Sequence, residues 1–202
     1  MTTDSVAAAY TAKAEDYIDA VGRIGHTAVV DREFIRDWAL GCTGPLLDVG
    51  CGPGQWTDWL CRHGVQITGV DPASAFVERA RSSYPGANYR VGQADDLGED
   101  AGSVGGVLAW YSLIHSEVAE VESALAEFAR CVRPDGGLLI GFFAGDEHEP
   151  FDHAVTTAYY WPVDEMAAVV EDAGFRVTHT ATRSQDGARR HGEITAVRRG
   201  DY

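Results

Sequence analysis

The sequence predicts an α/β fold with a doubly wound, mostly parallel sheet of seven strands and helices on both faces. Short apolar runs alternate along the chain with stretches in which apolar residues recur at helical spacing, as in βαβ units. Most of these stretches end at glycine or proline, which interrupt regular structure. A chain of 202 residues, 45% of them hydrophobic, is also long enough to build one domain with its own core.

The individual elements follow from the apolar periodicity and from the residues that stop it. The predicted helices cover 5–21, 27–40, 73–83, 118–132 and 163–173, with a shorter one after a glycine turn, and the predicted strands cover 45–49, 65–70, 89–91, 104–110, 138–143, 175–181 and 194–198. A polar loop without helical spacing joins the last two strands, which predicts a hairpin and an antiparallel last strand. Segment 146–160 contains Pro150 and lacks a clear period, so we expect it to be irregular.

The charge balance argues against some classes of partner. Thirty-one acidic residues face only 16 basic ones, which gives a formal net charge of −15. Proteins that bind nucleic acids or anionic membranes cluster lysine and arginine, so we expect neither partner. No stretch approaches the roughly 18 apolar residues of a membrane-spanning helix, and the N-terminus has no signal-peptide pattern. The four isolated cysteines are typical of reduced thiols and predict a cytoplasmic location.

The most informative segment runs from Leu46 to Trp56, where a predicted strand enters a glycine-rich turn and then a helix. Ligands of open α/β sheets bind beyond the carboxyl ends of the strands, and glycines there let the backbone approach a ligand closely. The N-terminus of the following helix favours an anionic group. The segment therefore predicts a small-molecule site at this edge of the sheet.

The spacing within the turn distinguishes between two ligand classes. A dinucleotide site reads G-x-G-x-x-G, whereas this turn reads G-x-G-x-G and has Gln55 at the third glycine position of the dinucleotide pattern. Asp48 precedes the first glycine by two residues, where a carboxylate favours an ammonium group rather than a pyrophosphate. We therefore expect a ligand with an ammonium group, a carboxylate and a ribose, whose carboxylate meets backbone N–H groups of the turn.

Five segments resemble one enzyme family in the order and spacing that the family has. The run Asp48-Val49-Gly50-Cys51-Gly52-Pro53-Gly54 resembles motif I of the class I S-adenosylmethionine-dependent methyltransferases. The other similar segments are Gly69–Pro72 after the second strand, Gly92–Leu97 after the third, Arg130–Gly137 before the fifth, and Trp161-Pro162 with Glu171–Phe175 before the sixth. The resemblance covers about residues 10–197 and implies a Rossmann-like sheet whose last strand is antiparallel.

This resemblance implies that the cofactor is S-adenosyl-L-methionine and that the product is S-adenosyl-L-homocysteine. In that family the acid at Asp71 takes the ribose hydroxyls, and the acid at Asp95 meets the adenine amine. The cofactor-binding residues that it implies are Tyr17, Asp48, Gly50, Gly52, Gly54, Trp56, Asp71, Pro72, Ala94, Asp95, Trp110 and Tyr111. Aromatic faces among them are expected to attract the sulfonium by cation–π interaction.

The segment after the fourth strand narrows the acceptor class. It reads Ala109-Trp110-Tyr111-Ser112-Leu113-Ile114-His115, which differs from the Asn/Asp-Pro-Pro segment of nucleobase amino-methyltransferases. Trp110 and Tyr111 also stand where metal-dependent catechol enzymes have acidic ligands, so we expect no metal. Together with the acidic charge, this favours a small-molecule or peptide acceptor over DNA or RNA. The methyl group of a sulfonium is already activated, so we expect a direct in-line methyl transfer. The aromatic run at 159–161 favours an acceptor with apolar surface.

Two histidines are candidate general bases, because histidine titrates near neutral pH. His115 follows the fourth strand at the mouth of the predicted site, and His153 lies in segment 146–160. His148 and His153 are spaced one position too far apart for an H-E-x-x-H metal motif, and Pro150 would break the helix that the motif needs. The histidines expected at the surface are His63, His179 and His191.

We expect a single domain over 1–202 that divides into four parts. These are an N-terminal helical cap over 1–40, the cofactor-binding core over 45–143, a substrate-cap insertion over 144–162 and the C-terminal part of the sheet over 163–199. Two alternatives stay open. One is a non-catalytic module that binds S-adenosylmethionine or another nucleoside. The other is a nicotinamide-dependent oxidoreductase, although Lys13, the only lysine, rules out a Tyr-x-x-x-Lys pair. The acceptor and the oligomeric state also stay open.

Overall fold

The computed structural model describes residues 23–200. The predicted helix over 5–21, which includes Tyr17, lies outside these residues. The elements in chain order are a 3-10 turn (Ile24–His26), α1 (Val29–Gly41), β1 (Leu46–Val49), α2 (Gln55–Arg62), β2 (Ile67–Asp71), α3 (Ser74–Ser83), β3 (Asn88–Val91), β4 (Val104–Trp110), α4 (Val118–Cys131), β5 (Val132–Phe143), β6 (Glu149–Asp152), β7 (Thr157–Tyr160), α5 (Val163–Asp172), β8 (Phe175–Arg183) and β9 (His191–Arg198).

The main sheet confirms the predicted fold class. Its seven strands lie in the order β3-β2-β1-β4-β5-β9-β8, and β1 to β5 pair in parallel. The last strand, β9, is antiparallel to both of its neighbours, as the polar loop before it predicts. The strand order reverses between β1 and β4, which is the switch point where open α/β sheets bind their ligands.

Apolar residues on both faces of the sheet build the core. Leu46 faces a cluster with α1 and α2, whereas its neighbour Leu47 faces a cluster with α4 and α5. This alternation is the period of a strand that is buried on both sides. Helix α4 begins with a capping box in which Glu117 and Glu120 bond each other's backbone N–H groups. The core thus has α1 and α2 on one face of the sheet and α4 and α5 on the other.

Segment 146–160 is not irregular, so the expectation for it was wrong. It contains a two-stranded antiparallel sheet in which β6 pairs with β7, with Pro150 opposite Tyr159. A two-stranded sheet has open edges, so a proline that lacks an N–H is tolerated there. The chain after the hairpin returns to the main sheet, where the Trp161 N–H donates to the Phe143 carbonyl over 2.9 Å.

Residues Pro134–Gly137, which precede the predicted fifth strand, lie inside the observed strand β5. Strand β5 follows α4 directly at Val132, which pairs with Val104, and regular pairing resumes with Gly137 opposite Gly106. The extra residues form a bulge, in which Asp135 has φ 61°. Among the described residues, no helix is both long and apolar enough to cross a membrane.

Candidate functional site

A cavity of about 530 Å³ lies at the carboxyl ends of β1, β2 and β4, a size typical of small-molecule sites. The predicted site residues that line it are Asp48, Gly50, Gly52, Trp56, Asp71, Pro72, Ala94, Asp95, Trp110, Tyr111, His115 and His153. Gly54 is not among the lining residues. It begins α2 with φ 89° and packs against Tyr89 and Ala80 instead.

The glycine turn needs glycine at Gly50 for two reasons. Its φ is 72°, a conformation that L side chains rarely adopt. A Cβ at this position would also lie 2.2 Å from the Cβ of Ser112, on the segment after β4. The turn and the end of β4 therefore approach each other as closely as backbone permits, and both face the cavity.

Three N–H groups of the turn, which we expect to meet a ligand carboxylate, have acceptors within the protein. The N–H groups of Gly50 and Cys51 donate to the Val70 carbonyl, and that of Gly52 donates to Oδ2 of Asp71 over 2.8 Å. Two other polar atoms at the cavity are buried without a hydrogen-bond partner among the described residues, namely Oε1 of Gln55 and Oγ of Ser112. A buried polar atom without a partner costs free energy, so both atoms favour a polar ligand.

Asp48 and Asp71 are two buried carboxyls that brace this turn. Asp48 is 2% exposed and accepts a 2.6 Å hydrogen bond from the Thr57 hydroxyl, so it anchors the first turn of α2. Asp71 is 6% exposed and accepts from the N–H groups of Gly52 and Ala73, each over 2.8 Å. Asp71 therefore links the end of β2 to the turn while its carboxyl still lines the cavity.

Burial controls the ionisation of both carboxyls. It raises the pKa of Asp48 to about 7, against the hydrogen bond from Thr57, and the nearby Asp71 charge adds to the rise. Burial also raises the pKa of Asp71 to about 6, while the backbone N–H groups of Ala73 and Gly52 favour its charged form. The site thus holds two acids that a ligand with hydroxyl or ammonium donors would stabilise in the charged form.

An aromatic wall closes the cavity on the side of β4. The Trp110 ring lies edge-on to Trp56 with 6.3 Å between centroids. Its indole covers Gly141 on β5, where a Cβ would lie 2.5 Å from Cε3 of Trp110. Tyr111 follows with φ 57°, a left-handed conformation that turns the chain across the end of the sheet.

A buried network that the sequence did not reveal holds this wall in place. His191, expected at the surface, is 5% exposed, so that expectation was wrong. Its Nδ1 lies 2.5 Å from the Tyr111 hydroxyl, and its Nε2 lies 2.8 Å from Glu193. Nearby, Arg183 pairs with Asp31, which lines the cavity from α1.

The side chains of Asp31, His191 and Glu193 come close enough to suggest a metal site. Their ligand atoms lie within 4.8 Å of one another. Each of them already has a partner in the protein, and the Arg183 guanidinium 2.5 Å from Asp31 supplies the positive charge there. The geometry is that of an ion-pair network that ties α1 to β8 and β9, in which Glu193 also faces His179 over 3.5 Å.

The two candidate bases meet on the other side of the cavity. The rings of His115 and His153 lie 5.2 Å apart in an edge-on arrangement. Nδ1 of His115 lies 2.6 Å from the Thr157 carbonyl, which can only accept, so Nδ1 carries the proton and Nε2 the lone pair. Burial lowers the pKa of His115, although the hydrogen bond to Thr157 opposes the shift. His115 is therefore a neutral imidazole near pH 7.

The rings of segment 159–161 do not line this cavity. Trp161 is 2% exposed and packs in the core, while His148 stacks on Tyr159 with 5.2 Å between centroids. The apolar surface at the mouth comes instead from Phe143, at the end of β5, whose ring lies 5.9 Å from His153. The sequence did not predict this position for Phe143, because the predicted fifth strand is apolar throughout and its last residue does not stand out.

Fold and cavity together define a Rossmann-like domain with a nucleoside-sized ligand site at its switch point. Residues 46–136 match the family model described as a methyltransferase domain. The O-methyltransferase resE of Aspergillus sclerotiorum is 32% identical over 146 residues, which cover 65% of this chain and 54% of that protein. The chain is thus similar to S-adenosylmethionine-dependent methyltransferases, with the matching domain over residues 46–136. It spans about half or less of the first curated relatives it matches, for example 36% and 45% of two of them.

Solved structures share the fold over nearly the whole chain. The 1,6-didemethyltoxoflavin-N1-methyltransferase of Burkholderia thailandensis, solved with 1,6-didemethyltoxoflavin and S-adenosylhomocysteine, gives a TM-score of 0.75 at 20% identity. The match covers 99% of this chain and 92% of that one. The 4+2 cyclase SpnF gives a TM-score of 0.81 at 19% identity, with 98% and 97% covered. At such identities the likeness establishes the architecture.

Proposed function

We propose that this protein transfers a methyl group from S-adenosylmethionine to a small-molecule acceptor, without a metal ion. The observation that carries the proposal is the pair of contacts around Gly50 and Gly52. The first glycine abuts Ser112 so closely that a Cβ cannot fit, and the second donates to Asp71. These contacts bring the ends of β1, β2 and β4 into one wall with acids at its base. The sequence match over 46–136 supports the same reading.

The residues present fit the cofactor. Asp71 offers carboxylate oxygens at the cavity for the ribose hydroxyls, and Asp95 is exposed at its rim for the adenine amine. Gln55 and Ser112 offer buried oxygens without partners among residues 23–200 for the amino-acid end. Asp48 acts indirectly, since its bond to Thr57 fixes α2 beneath the turn.

S-adenosylmethionine supplies a methyl group already activated by its sulfonium, so the protein's main task is to place the acceptor in line. Effective molarities of about 10⁵ M or more are available from orientation alone. Trp110 and Tyr111 present aromatic surface at the cavity and are candidates for cation–π attraction of about 1–2 kcal/mol. Their positions are fixed by Gly141 and His191 respectively.

We assign the base to His115, with His153 beside it as a second acceptor-site residue. The Thr157 carbonyl holds the proton on Nδ1, so Nε2 is the atom that accepts a proton from an acceptor hydroxyl or amine. Burial lowers the pKa of His115, so the ring is ready to accept a proton near neutral pH. His153 is carried by the segment between β6 and β7, which supports segment 144–162 as a substrate cap.

The remaining expectations belong to the same proposal. We infer one domain over 1–202 with its cap over 1–40, the core over 45–143 and the C-terminal part over 163–199. The four cysteines are free thiols, which supports a reducing, cytoplasmic location. The acidic charge supports a partner other than nucleic acid or membrane.

Calorimetric titration with S-adenosylmethionine, S-adenosylhomocysteine and NAD tests the proposal. We expect micromolar binding of the two sulfur ligands and none of NAD. An Asp71→Ala variant should lose this binding, whereas Asp96→Asn, an exposed acid outside the cavity lining, should keep it. Binding of NAD alone would favour an oxidoreductase. Binding of the sulfur ligands without turnover of any compound in an acceptor screen would favour the non-catalytic module.

A further inference from the structure

A second opening adjoins the cavity on the side of β5. It is lined by Tyr111, Phe143, Tyr160 and residues 187–189 of the loop between β8 and β9. Tyr111 and Phe143 also line the main cavity, so the two spaces share a wall. A molecule seated against Phe143 therefore reaches toward this loop.

Arg189 is the cation of this opening. Its Cζ lies 4.5 Å from the ring centroid of Phe151 and 5.8 Å from that of Phe143, and its Nη2 donates to the Asp152 carbonyl over 3.2 Å. A guanidinium carries five N–H donors in a planar fork, so most of them stay available for a ligand. The two phenylalanine rings fix the plane of the fork at the edge of the opening.

The neighbouring Arg190 differs from Arg189 in its partner. It pairs with Asp146 over 3.0 Å, whereas Arg189 forms no ion pair with a carboxylate anywhere in residues 23–200. The protein has 31 acidic residues and a net charge of −15, so carboxylates are plentiful. A cation without one, beside an apolar cavity, is suited to bind an anion that comes from outside.

We propose that Arg189 binds the carboxylate of the methyl acceptor, and that the acceptor is an aromatic acid. The aromatic body would pack against the surface that the contacting rings of Tyr111 and Phe143 form together, and its hydroxyl or amine would face the histidine side of the cavity. This inference rests on the proposed function and names the substrate class of the same site. A guanidinium recognises a carboxylate through two parallel hydrogen bonds, which a neutral amide cannot reproduce.

The test uses two matched probes, 6-hydroxy-2-naphthoate and 6-hydroxy-2-naphthamide, which differ in charge at a single substituent. Each is titrated calorimetrically into the full chain, with and without saturating S-adenosylhomocysteine. We expect the naphthoate to bind at least tenfold more tightly than the naphthamide. Arg189→Gln should remove this difference, while the matched control Arg190→Gln should keep it.

Three results would overturn the proposal: equal binding of both probes, binding of neither, or an equal loss in both arginine variants. The S-adenosylhomocysteine titrations in the same samples report separately on the cofactor site and on correct folding of the variants. Naphthoate discrimination without S-adenosylhomocysteine binding would contradict the proposed methyltransferase function and leave the anion site established. Binding of S-adenosylhomocysteine without discrimination between the two probes would refute the anion site and leave the proposed methyltransferase function standing.

Discussion

The Tyr111 hydroxyl lies 2.5 Å from Nδ1 of His191, and this contact spans the sheet from the end of β4 to the start of β9. Strand β5 lies between them, and its last residue, Phe143, pairs with His191 and packs its ring 4.9 Å from that of Tyr111. When the imidazole is neutral and Glu193 accepts from Nε2, Nδ1 is the acceptor and the tyrosine donates. The contact holds Tyr111 in its left-handed conformation at the wall of the cavity.

Replacement of His191 by leucine should therefore destabilise the protein. The change leaves the Tyr111 hydroxyl without its partner and removes one of the two histidine partners of Glu193, at a cost of about 1–3 kcal/mol. The exposed Thr180 on β8 provides the control, since Thr180→Leu should change stability by less than about 0.5 kcal/mol. Urea unfolding of the full chain measures both. Equal effects in the two variants would mean that the buried network contributes nothing.

Gly50→Ala should lower the free energy of unfolding by far more than its positive φ alone explains. Gly98 has a similar φ of 65° with nothing within 4 Å of an added Cβ, so Gly98→Ala measures the conformational penalty alone, about 1–2 kcal/mol. At Gly50 the added Cβ also meets Ser112 at 2.2 Å. The double variant Gly50→Ala/Ser112→Gly should bring the loss of unfolding free energy back toward the Gly98→Ala value. A double variant that is no more stable than Gly50→Ala would refute the close approach of Gly50 to Ser112.

Stability should fall as pH rises from about 4 to about 7. The pKa values of Asp48 and Asp71 are raised to about 7 and about 6 from the ordinary 3.8, so in this range the folded state holds protons that the unfolded chain has released. Asp48→Asn removes one of these buried acids and keeps an oxygen for Thr57. It should flatten the profile and add at least about 1 kcal/mol at pH 8 relative to the original protein.

Urea midpoints between pH 5 and pH 8 measure this effect, with the exposed Asp100→Asn as the control. The control should keep the slope of the original protein. A slope that is equally steep in Asp48→Asn would show that Asp48 is not the titrating group.

The His115 ring should titrate below pH 6.5 and carry its proton on Nδ1 when neutral. Burial lowers its pKa, and the Thr157 carbonyl selects the tautomer. Long-range ¹H–¹⁵N correlation spectra of the full chain measure both properties, and His115→Asn assigns the signals while keeping a donor for Thr157. A pKa at or above 6.5, or the Nε2–H tautomer, would remove the argument for His115 as the base.

Those parts of the site that depend on local sequence were predictable. The glycine turn and Asp71 each follow a buried strand, so chain order alone places them at one edge of the sheet. The burial of His191 was missed because the residue follows a polar loop in the sequence. It is buried because β9 lies between β5 and β8, where His191 pairs with Phe143 on one side and Arg183 on the other. The role of Asp48 also needed coordinates, since its bond to Thr57 depends on where α2 begins. The hairpin at 149–160 was missed because Pro150 looks like an interruption of regular structure in the sequence. Only the structure shows that β6 has an open edge, where a proline is tolerated.

The reversed direction of β9 bears on how the acceptor specificity of the proposed methyltransferase evolves. A strand of eight residues spans about 26 Å, so a parallel β9 would begin at the opposite edge of the sheet. Reversal brings the start of β9, with residues 184–190 before it, to the edge where the parallel strands end. Lengthening or shortening this loop reshapes the mouth of the cavity without disturbing the glycine turn, and longer loops cost little free energy. New acceptors are therefore accessible through loop-length variation in a part of the chain separate from the cofactor site.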